Sequence, residues 1–173
     1  MSNRLPIVVP ALLCLSGVML AQDVKYNYVP GTDFSKFHTY QWVPLSTAHP
    51  DQIVDRQIKQ DIDSQLAAKG LTPTTTNPDL QVGYQIGVDK EKQWDAWGMG
   101  GGPRWGGMGT ATSSTVNIGT LAIDFFDPAA KELVWRGQGT KTIDPSGKPE
   151  KNAERLQKSI AKILKNFPPS AKK

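Results

Sequence analysis

The clearest structural signal in the chain is a pair of β-rich apolar runs joined by a tight turn. The runs lie within residues 115–137, and the connection reads Asp127-Pro128-Ala129-Ala130-Lys131. Asp favours the first position of a type I turn, and Pro presets φ at the second. The stretch therefore predicts the central hairpin of an antiparallel sheet.

Alternating apolar residues predict three more strands, over residues 24–28, 38–43 and 80–88. The first two are separated by turn residues, so we interpret them as a second hairpin, with Phe34 and Phe37 sealing the end of the core. Residues 72–77 are interpreted as a threonine- and proline-rich connector. The apolar parity of residues 116–125 changes near Gly119-Thr120, which predicts a β-bulge there.

A helical period replaces the alternation over residues 51–69 and 149–166. In the first helix, Val54, Ile58, Ile62 and Leu66 form one apolar stripe, and Gly70 is placed to end the helix in a left-handed conformation. The second helix has an apolar face formed by Leu156, Ile160, Ile163, Leu164 and Phe167. We expect a single two-layer α+β domain of order β-β-α-β-β-β-α, with a mostly antiparallel sheet and both helices on one face.

The N-terminus has the layout of a secretory signal peptide. Arg4 precedes an apolar run, and small or neutral residues lead to Ala21. We expect a signal peptide over residues 1–21, a domain over residues 22–167 and a basic flexible tail over residues 168–173. The alternative is an uncleaved, membrane-anchoring N-terminus. The single cysteine, Cys14, lies inside the apolar run, so it is poorly placed for lipidation.

Several spaced motifs resemble the bacterial envelope family called domain of unknown function 4136. They are Tyr26-x-Tyr28, Pro30-Gly31-x-Asp33-Phe34-Ser35-x-Phe37-x-Thr39-Tyr40-x-Trp42, Lys69-Gly70-Leu71, Pro78-Asp79-Leu80-x-Val82-x-Tyr84, Gly119-Thr120-Leu121-x-Ile123-Asp124, Asp127-Pro128 and Leu133-Val134-Trp135-Arg136-Gly137. The resemblance implies an exported protein, periplasmic or associated with the outer membrane, in a family with many lipoproteins and no established activity.

Residues 91–114 are unusual in composition. They hold three of the five tryptophans and seven of the 16 glycines, and so many glycines disfavour regular structure. We expect a long, mobile hairpin loop. Its candidate binding residues are Trp94, Trp97, Arg104 and Trp105. Side chains of these types are suited to bind a partner, which we expect to be an envelope protein or a cell-wall component. The alternative is that the tryptophans fold back over the sheet and complete the core.

Recognisable catalytic groups are sparse. Beyond residue 21 the sequence has two histidines, His38 and His49, and no cysteine. The glycine-rich segment matches neither a P-loop nor a dinucleotide fingerprint, and Asp124 and Asp127 are better explained by a strand and a turn than by a metal site. We therefore predict a non-enzymatic protein without a cofactor or metal and without a nucleic-acid partner.

Positive charge is concentrated at the C-terminus, where residues 148–173 carry eight basic and two acidic residues. The basic stripe of the last helix consists of Lys151, Arg155, Lys158, Lys162 and Lys165. It is either an ordinary solvated face or a surface for anionic membranes and polymers. The remaining alternative function is a small-ligand carrier or an enzyme with a site on the sheet, built from Asp124, Arg136 and sheet tyrosines.

Overall fold

The chain folds as one six-stranded mixed sheet with two helices, in a computed structural model that describes residues 23–45, 50–96, 111–143 and 147–170. The predicted signal peptide lies outside these ranges. The strands are β1 (Asp23–Tyr28), β2 (Thr39–Trp42), β3 (Thr72–Pro73), β4 (Leu80–Ala96), β5 (Ala111–Asp127) and β6 (Glu132–Ile143). The helices are α1 (Gln52–Ala67) and α2 (Pro149–Leu164), and a short 3₁₀ turn covers Phe34–Lys36.

The predicted α+β class and the mostly antiparallel sheet are confirmed. The strand order is β1-β6-β5-β4-β2-β3, and β2 is parallel to both β3 and β4. Both helices cover one face of the sheet, which we call the helix face; the opposite side is the outer face.

The predicted hairpin between the first two strands was wrong. β1 pairs antiparallel with β6, whereas β2 lies near the far edge and pairs with β4. Antiparallel hairpins need only a short turn, while parallel neighbours need a crossover. Here α1 supplies the crossover between β2 and β4. The connector predicted at residues 72–77 also begins with a strand, β3, at the edge.

The central hairpin of β5 and β6 is confirmed, and its turn is closed by Asp127. The Asp127 Oδ1 accepts hydrogen bonds from the backbone N–H groups of Ala129 and Ala130, at 2.9 and 3.0 Å. The predicted bulge was misplaced, because pairing is continuous through Gly119-Thr120 and shifts between Phe125 and Phe126.

Capping residues on either side of helix α1 fix where it begins and ends. Asp51 caps it by accepting from the Ile53 N–H at 2.7 Å. Gly70 adopts φ 86°, and the Leu71 N–H then donates to the Leu66 carbonyl at 3.0 Å. Of the predicted apolar stripe, Ile58, Ile62 and Leu66 are fully buried, whereas Val54 is 39% exposed.

The core lies between the helices and the centre of the sheet. Phe125 stacks on Phe167 with 4.1 Å between ring centroids, and Trp135 meets both rings edge-on. Phe34 packs against Phe37 and Phe167, which confirms that these two phenylalanines seal one end of the core.

Candidate functional site

The hairpin of β4 and β5 extends past the rest of the sheet. Pairing between β5 and β6 ends at Asn117 with Ile143, yet β4 and β5 remain paired from Glu91 with Val116 to Ala96 with Ala111. We call residues 91–96 and 111–116 the arm. Its six residue pairs span about 20 Å at about 3.4 Å per residue. Within the described residues, neither outer edge of the arm pairs with another strand.

The arm corrects the predicted loop at both ends, because residues 91–96 and 111–114 are strand. Charges of alternating sign over residues 89–92 and a threonine- and serine-rich run over 112–115 were the missed signal. Trp94 pairs with Ser113 in the arm backbone, and its side chain lies outside the described part. Trp97, Arg104 and Trp105 also lie outside it, so their proposed binding role stays a prediction.

An apolar cleft opens on the helix face at the base of the arm. It has a volume of about 360 Å³ and lies between α1, α2 and strands β4 to β6. Its walls are mostly aliphatic, and its floor includes two glycines. Its aliphatic lining side chains include Val54, Ile58, Ile86, Val88, Leu121 and Leu156.

The cleft explains why Val54 departs from the predicted core stripe. Ile62 and Leu66, farther along α1, are fully buried, but Val54 and Val88 are 39% and 58% exposed. Across the floor, Gly119 pairs with Lys141 and Gly139 with Leu121, so small residues stand where aliphatic ones would fill the space. These two glycines, one in β5 and one in β6, were a sequence signal of open space over the sheet that was not recognised.

Positive charge borders this cleft. All five residues of the predicted basic stripe, Lys151, Arg155, Lys158, Lys162 and Lys165, are exposed on α2 or at its C-terminal cap. Arg155 also lines the cleft, together with Lys141 of β6. The pKa of Lys141 is lowered, first by burial and then by the charges of Arg155, Lys162 and Lys158. The structure thus joins the stripe to a lysine that the sequence did not single out.

Asp124 and Arg136 form an ion pair on the outer face. The guanidinium donates twice to the carboxylate, from Nε to Oδ1 and from an Nη to Oδ2, both at 2.6 Å. This hydrogen bonding raises the pKa of Arg136. The neighbouring strand residue is Gly83, where an added Cβ would lie 2.3 Å from the Leu45 side chain. Because Asp124 is fully buried and already paired, the arrangement is a structural ion pair.

The sheet tyrosines Tyr40 and Tyr84 lie on the helix face, on the opposite side of the sheet from Asp124 and Arg136. Tyr40 donates from its hydroxyl to Asp63 Oδ1 at 2.6 Å, and Tyr84 donates to Asp55, so both tie the helix face to α1. Burial, followed by these hydrogen bonds, raises the pKa of both tyrosines. The predicted combination of Asp124, Arg136 and tyrosines therefore does not assemble.

The described residues provide no group of three or more His, Cys, Asp or Glu side chains suited to a metal ion. His38 is exposed, and its backbone N–H donates to Asp79 at 2.9 Å; His49 lies outside the described ranges. Neither helix in the described part is long and apolar enough to cross a bilayer.

These features define a two-layer α+β domain with a projecting arm and a cation-bordered apolar cleft. The chain belongs to the family described as "Domain of unknown function (DUF4136)", which it matches over residues 24–169. The resemblance found in the sequence motifs is thereby confirmed. No curated protein shows a significant similarity to the chain.

Comparison with solved structures finds similarity at low sequence identity. A PDZ domain protein from Parabacteroides distasonis ATCC 8503 superposes with a TM-score of 0.56 at 15% identity, covering 87% of this chain. The chain spans 37% of that protein's length. A PelC dodecamer from Paraburkholderia phytofirmans gives a TM-score of 0.48 at 13% identity, covering 83% of this chain and 95% of that one. At 15% identity, the likeness to the PDZ domain protein concerns the fold alone.

Proposed function

We propose that the chain is an exported, non-enzymatic binding module of the bacterial envelope. Its partner is an envelope protein or cell-wall component, held by the arm and by the segment that the arm carries. The observation that supports this proposal most is the projection of β4 and β5 beyond the other strands.

A two-stranded ribbon is marginally stable in water by itself. The arm has two edges with unpaired backbone N–H and C=O groups in its described residues, and such edges accept an added strand. A partner strand along either edge would convert the ribbon into a three-stranded sheet. The arm is therefore suited to bind a partner that has an extended segment of its own.

The large side chains in the arm and in the segment after it fit the same role. Trp94, Trp97 and Trp105, with Arg104 among them, belong to the residue types that dominate binding energy at interfaces. The described end of the arm, at Ala96 and Ala111, lies at the end of the sheet opposite the turn of β5 and β6. A partner bound at that end would leave the core undisturbed.

Export rests on the first 21 residues, whose basic start, apolar run and small C-terminal end fit a cleaved signal. We expect the mature protein in the periplasmic or outer-membrane fraction, beginning at Gln22. Mass spectrometry of the fractionated protein checks this. A full-length protein confined to the cytoplasm would contradict it.

The binding proposal is tested by trimming the arm. Residues 91–116 are replaced with Asn-Gly, a two-residue turn compatible with the hairpin, so that Lys90 and Asn117 still close the sheet. The mature protein, the trimmed variant and a Trp94→Ala, Trp97→Ala, Trp105→Ala variant are compared as baits in envelope extract by quantitative mass spectrometry.

We expect one partner to be enriched by the mature protein and lost by both variants, with unchanged circular dichroism. A control carrying Ala130→Trp, at the opposite end of the sheet, should retain the partner. Equal enrichment by the trimmed variant and the mature protein would refute an arm-mediated interaction. Unfolding of the tryptophan variant would instead assign those residues to the core.

A second candidate function is peripheral binding to anionic surfaces through α2. It is favoured by the exposure of all five cations of the stripe, each contributing about 1 kcal/mol near such a surface. Co-sedimentation with anionic vesicles should weaken as salt is added, because screening shortens the reach of exposed charges. Salt-independent sedimentation would contradict this electrostatic mechanism.

A further inference from the structure

We propose that the cleft on the helix face binds a long-chain fatty acid, with its hydrocarbon chain between α1 and α2 and its carboxylate at Lys141 and Arg155. This site is independent of the arm. It gives the small-ligand alternative a location different from the one expected at Asp124 and Arg136.

The walls of the cleft select an aliphatic chain. Val54, Ile58, Ile86, Leu121 and Leu156 supply branched, non-polar surface, and none of the described lining residues is aromatic. A flat ring would lack a stacking partner there, whereas a flexible chain can follow a groove between two helices and a sheet. The exposed Val54 and Val88 leave non-polar surface that such a chain would remove from water.

The size of the cleft favours one chain over two. Its volume of about 360 Å³ is at the lower end of the range of about 300–1,000 Å³ for small-molecule sites. A two-chain phospholipid would have to leave much of its apolar surface outside. A single-chain amphiphile can place its chain inside and its head group at the edge.

The charges at the edge select an anionic head group. Lys141 and Arg155 line the cleft, and no described lining residue is a carboxylate. Lys158 is paired with Glu154 at 2.5 Å, but Lys141 and Arg155 form no ion pair within the described residues. Burial and neighbouring positive charges both act against the charged form of Lys141. A carboxylate placed between Lys141 and Arg155 would offset that repulsion.

One of the two polar residues beside these cations, Asn152, suits a carboxylate as well. Asn152 and Ser159 line the same side of the cleft. The Ser159 hydroxyl donates its one O–H to the Arg155 carbonyl at 2.8 Å, so it has no further hydrogen to donate to a carboxylate. The Asn152 side chain amide donates to the Gly147 carbonyl at 3.3 Å and still has a second N–H.

The test is calorimetric titration of the mature protein with decanoate, laurate and myristate, each below its micelle-forming concentration. Affinity should rise about fourfold with each added methylene until the cleft is full. Dodecanol, which has the chain of laurate without its charge, should bind at least fivefold more weakly. Its head group loses the attraction to Lys141 and Arg155, and each such attraction changes the affinity about fivefold.

Three variants locate the site. Arg155→Glu should weaken laurate binding at least fivefold. Lys165→Glu, the same charge change at the exposed C-cap residue of α2 and outside the cleft, should leave laurate binding unchanged. Val54→Trp should abolish binding by filling the mouth, and it should fold because Val54 is 39% exposed.

Equal affinity for laurate and dodecanol would overturn the head-group assignment. Unchanged binding in Val54→Trp would overturn the cleft as the location. Absence of binding to any monomeric fatty acid, or binding to phospholipid vesicles alone, would overturn the proposal. Loss of partner capture by the arm would leave it unaffected, so the two proposals fail separately.

Discussion

Replacing Gly137 with Ala tests how closely α2 is seated on the sheet. Gly137 lies on the helix face of β6, where the Trp135 ring folds over it. A Cβ added there would lie 2.2 Å from Trp135 Cη2 and 2.7 Å from Ile163 Cγ2. Both of those side chains are fully buried, so neither can move into solvent to relieve the contact.

The expected cost follows from two opposing effects. Overpacking a dense core by one methyl group costs about 1–3 kcal/mol. Removing a glycine from a strand returns about 0.5–1 kcal/mol. Because the added methyl group would clash with two buried side chains, Trp135 and Ile163, we take the upper part of the range for the overpacking cost. The net loss of unfolding free energy is then about 2 kcal/mol, a fall in melting temperature of about 4–8 °C for a domain of this size.

Gly87→Ala is the matched control. Gly87 also lies inside a strand, but an added Cβ would have no heavy atom within 4 Å. It should therefore raise stability by about 0.5–1 kcal/mol. Scanning calorimetry of both variants measures the difference. If the two substitutions shift the melting temperature in the same direction, the close seating of α2 over Gly137 is wrong.

Three carboxylates give further predictions. Asp63→Ala should lower the unfolding free energy by about 1–3 kcal/mol, because it removes the acceptor shared by the Tyr40 hydroxyl and the Trp42 indole N–H; urea unfolding measures this, and no recovery in Asp63→Asn would argue against a lost acceptor. Burial raises the pKa of Asp61. The contribution of Asp61 to the free energy of unfolding is therefore fully present below the ordinary pKa of 3.8 and is lost as the pH rises through the folded-state pKa. Asp61→Asn should therefore stabilise the domain at neutral pH, and unchanged stability there would contradict this. Hydrogen bonds from the Ala130 backbone N–H and then from Lys36 lower the pKa of Asp127. The contribution of Asp127 to the free energy of unfolding is therefore present above the ordinary pKa of 3.8 and is lost as the pH falls through the folded-state pKa. Asp127→Asn should flatten the acid side of a pH–stability profile, and an unaltered profile would count against the turn contacts.

Local signals in the sequence predicted much of the fold. Asp51 and Gly70 marked the ends of α1 because capping depends on residues adjacent in the chain. Asp127 marked the central turn for the same reason. The placement of β2 beside β4 was missed, since pairing partners far apart in sequence leave no local pattern. The helix between β2 and β4 was nevertheless a clue, because a strand-helix-strand unit favours a parallel crossover.

The candidate sites were less predictable. The tryptophan-rich segment was evident from composition, but the arm that presents it depends on β6 ending before β4 and β5 do. The cleft depends on where two helices separate over a glycine floor, and spacing along one helix cannot show that. Val54 has the same spacing along α1 as the buried residues of the stripe, yet it lies at the mouth of the cleft. Its burial depends on α2 and on strands β4 to β6, and the sequence of α1 alone does not show how close those elements come.

Site-specific photo-crosslinking in cells tests the proposed binding function most directly. A photoreactive residue is placed at Trp105, in the segment carried by the arm, and in a second strain at Ala130, which is exposed in the turn at the opposite end of the sheet. We predict a single envelope partner crosslinked from position 105 and absent from position 130. The same crosslinks from both positions, or none from position 105, would contradict the proposal that this domain binds through its arm.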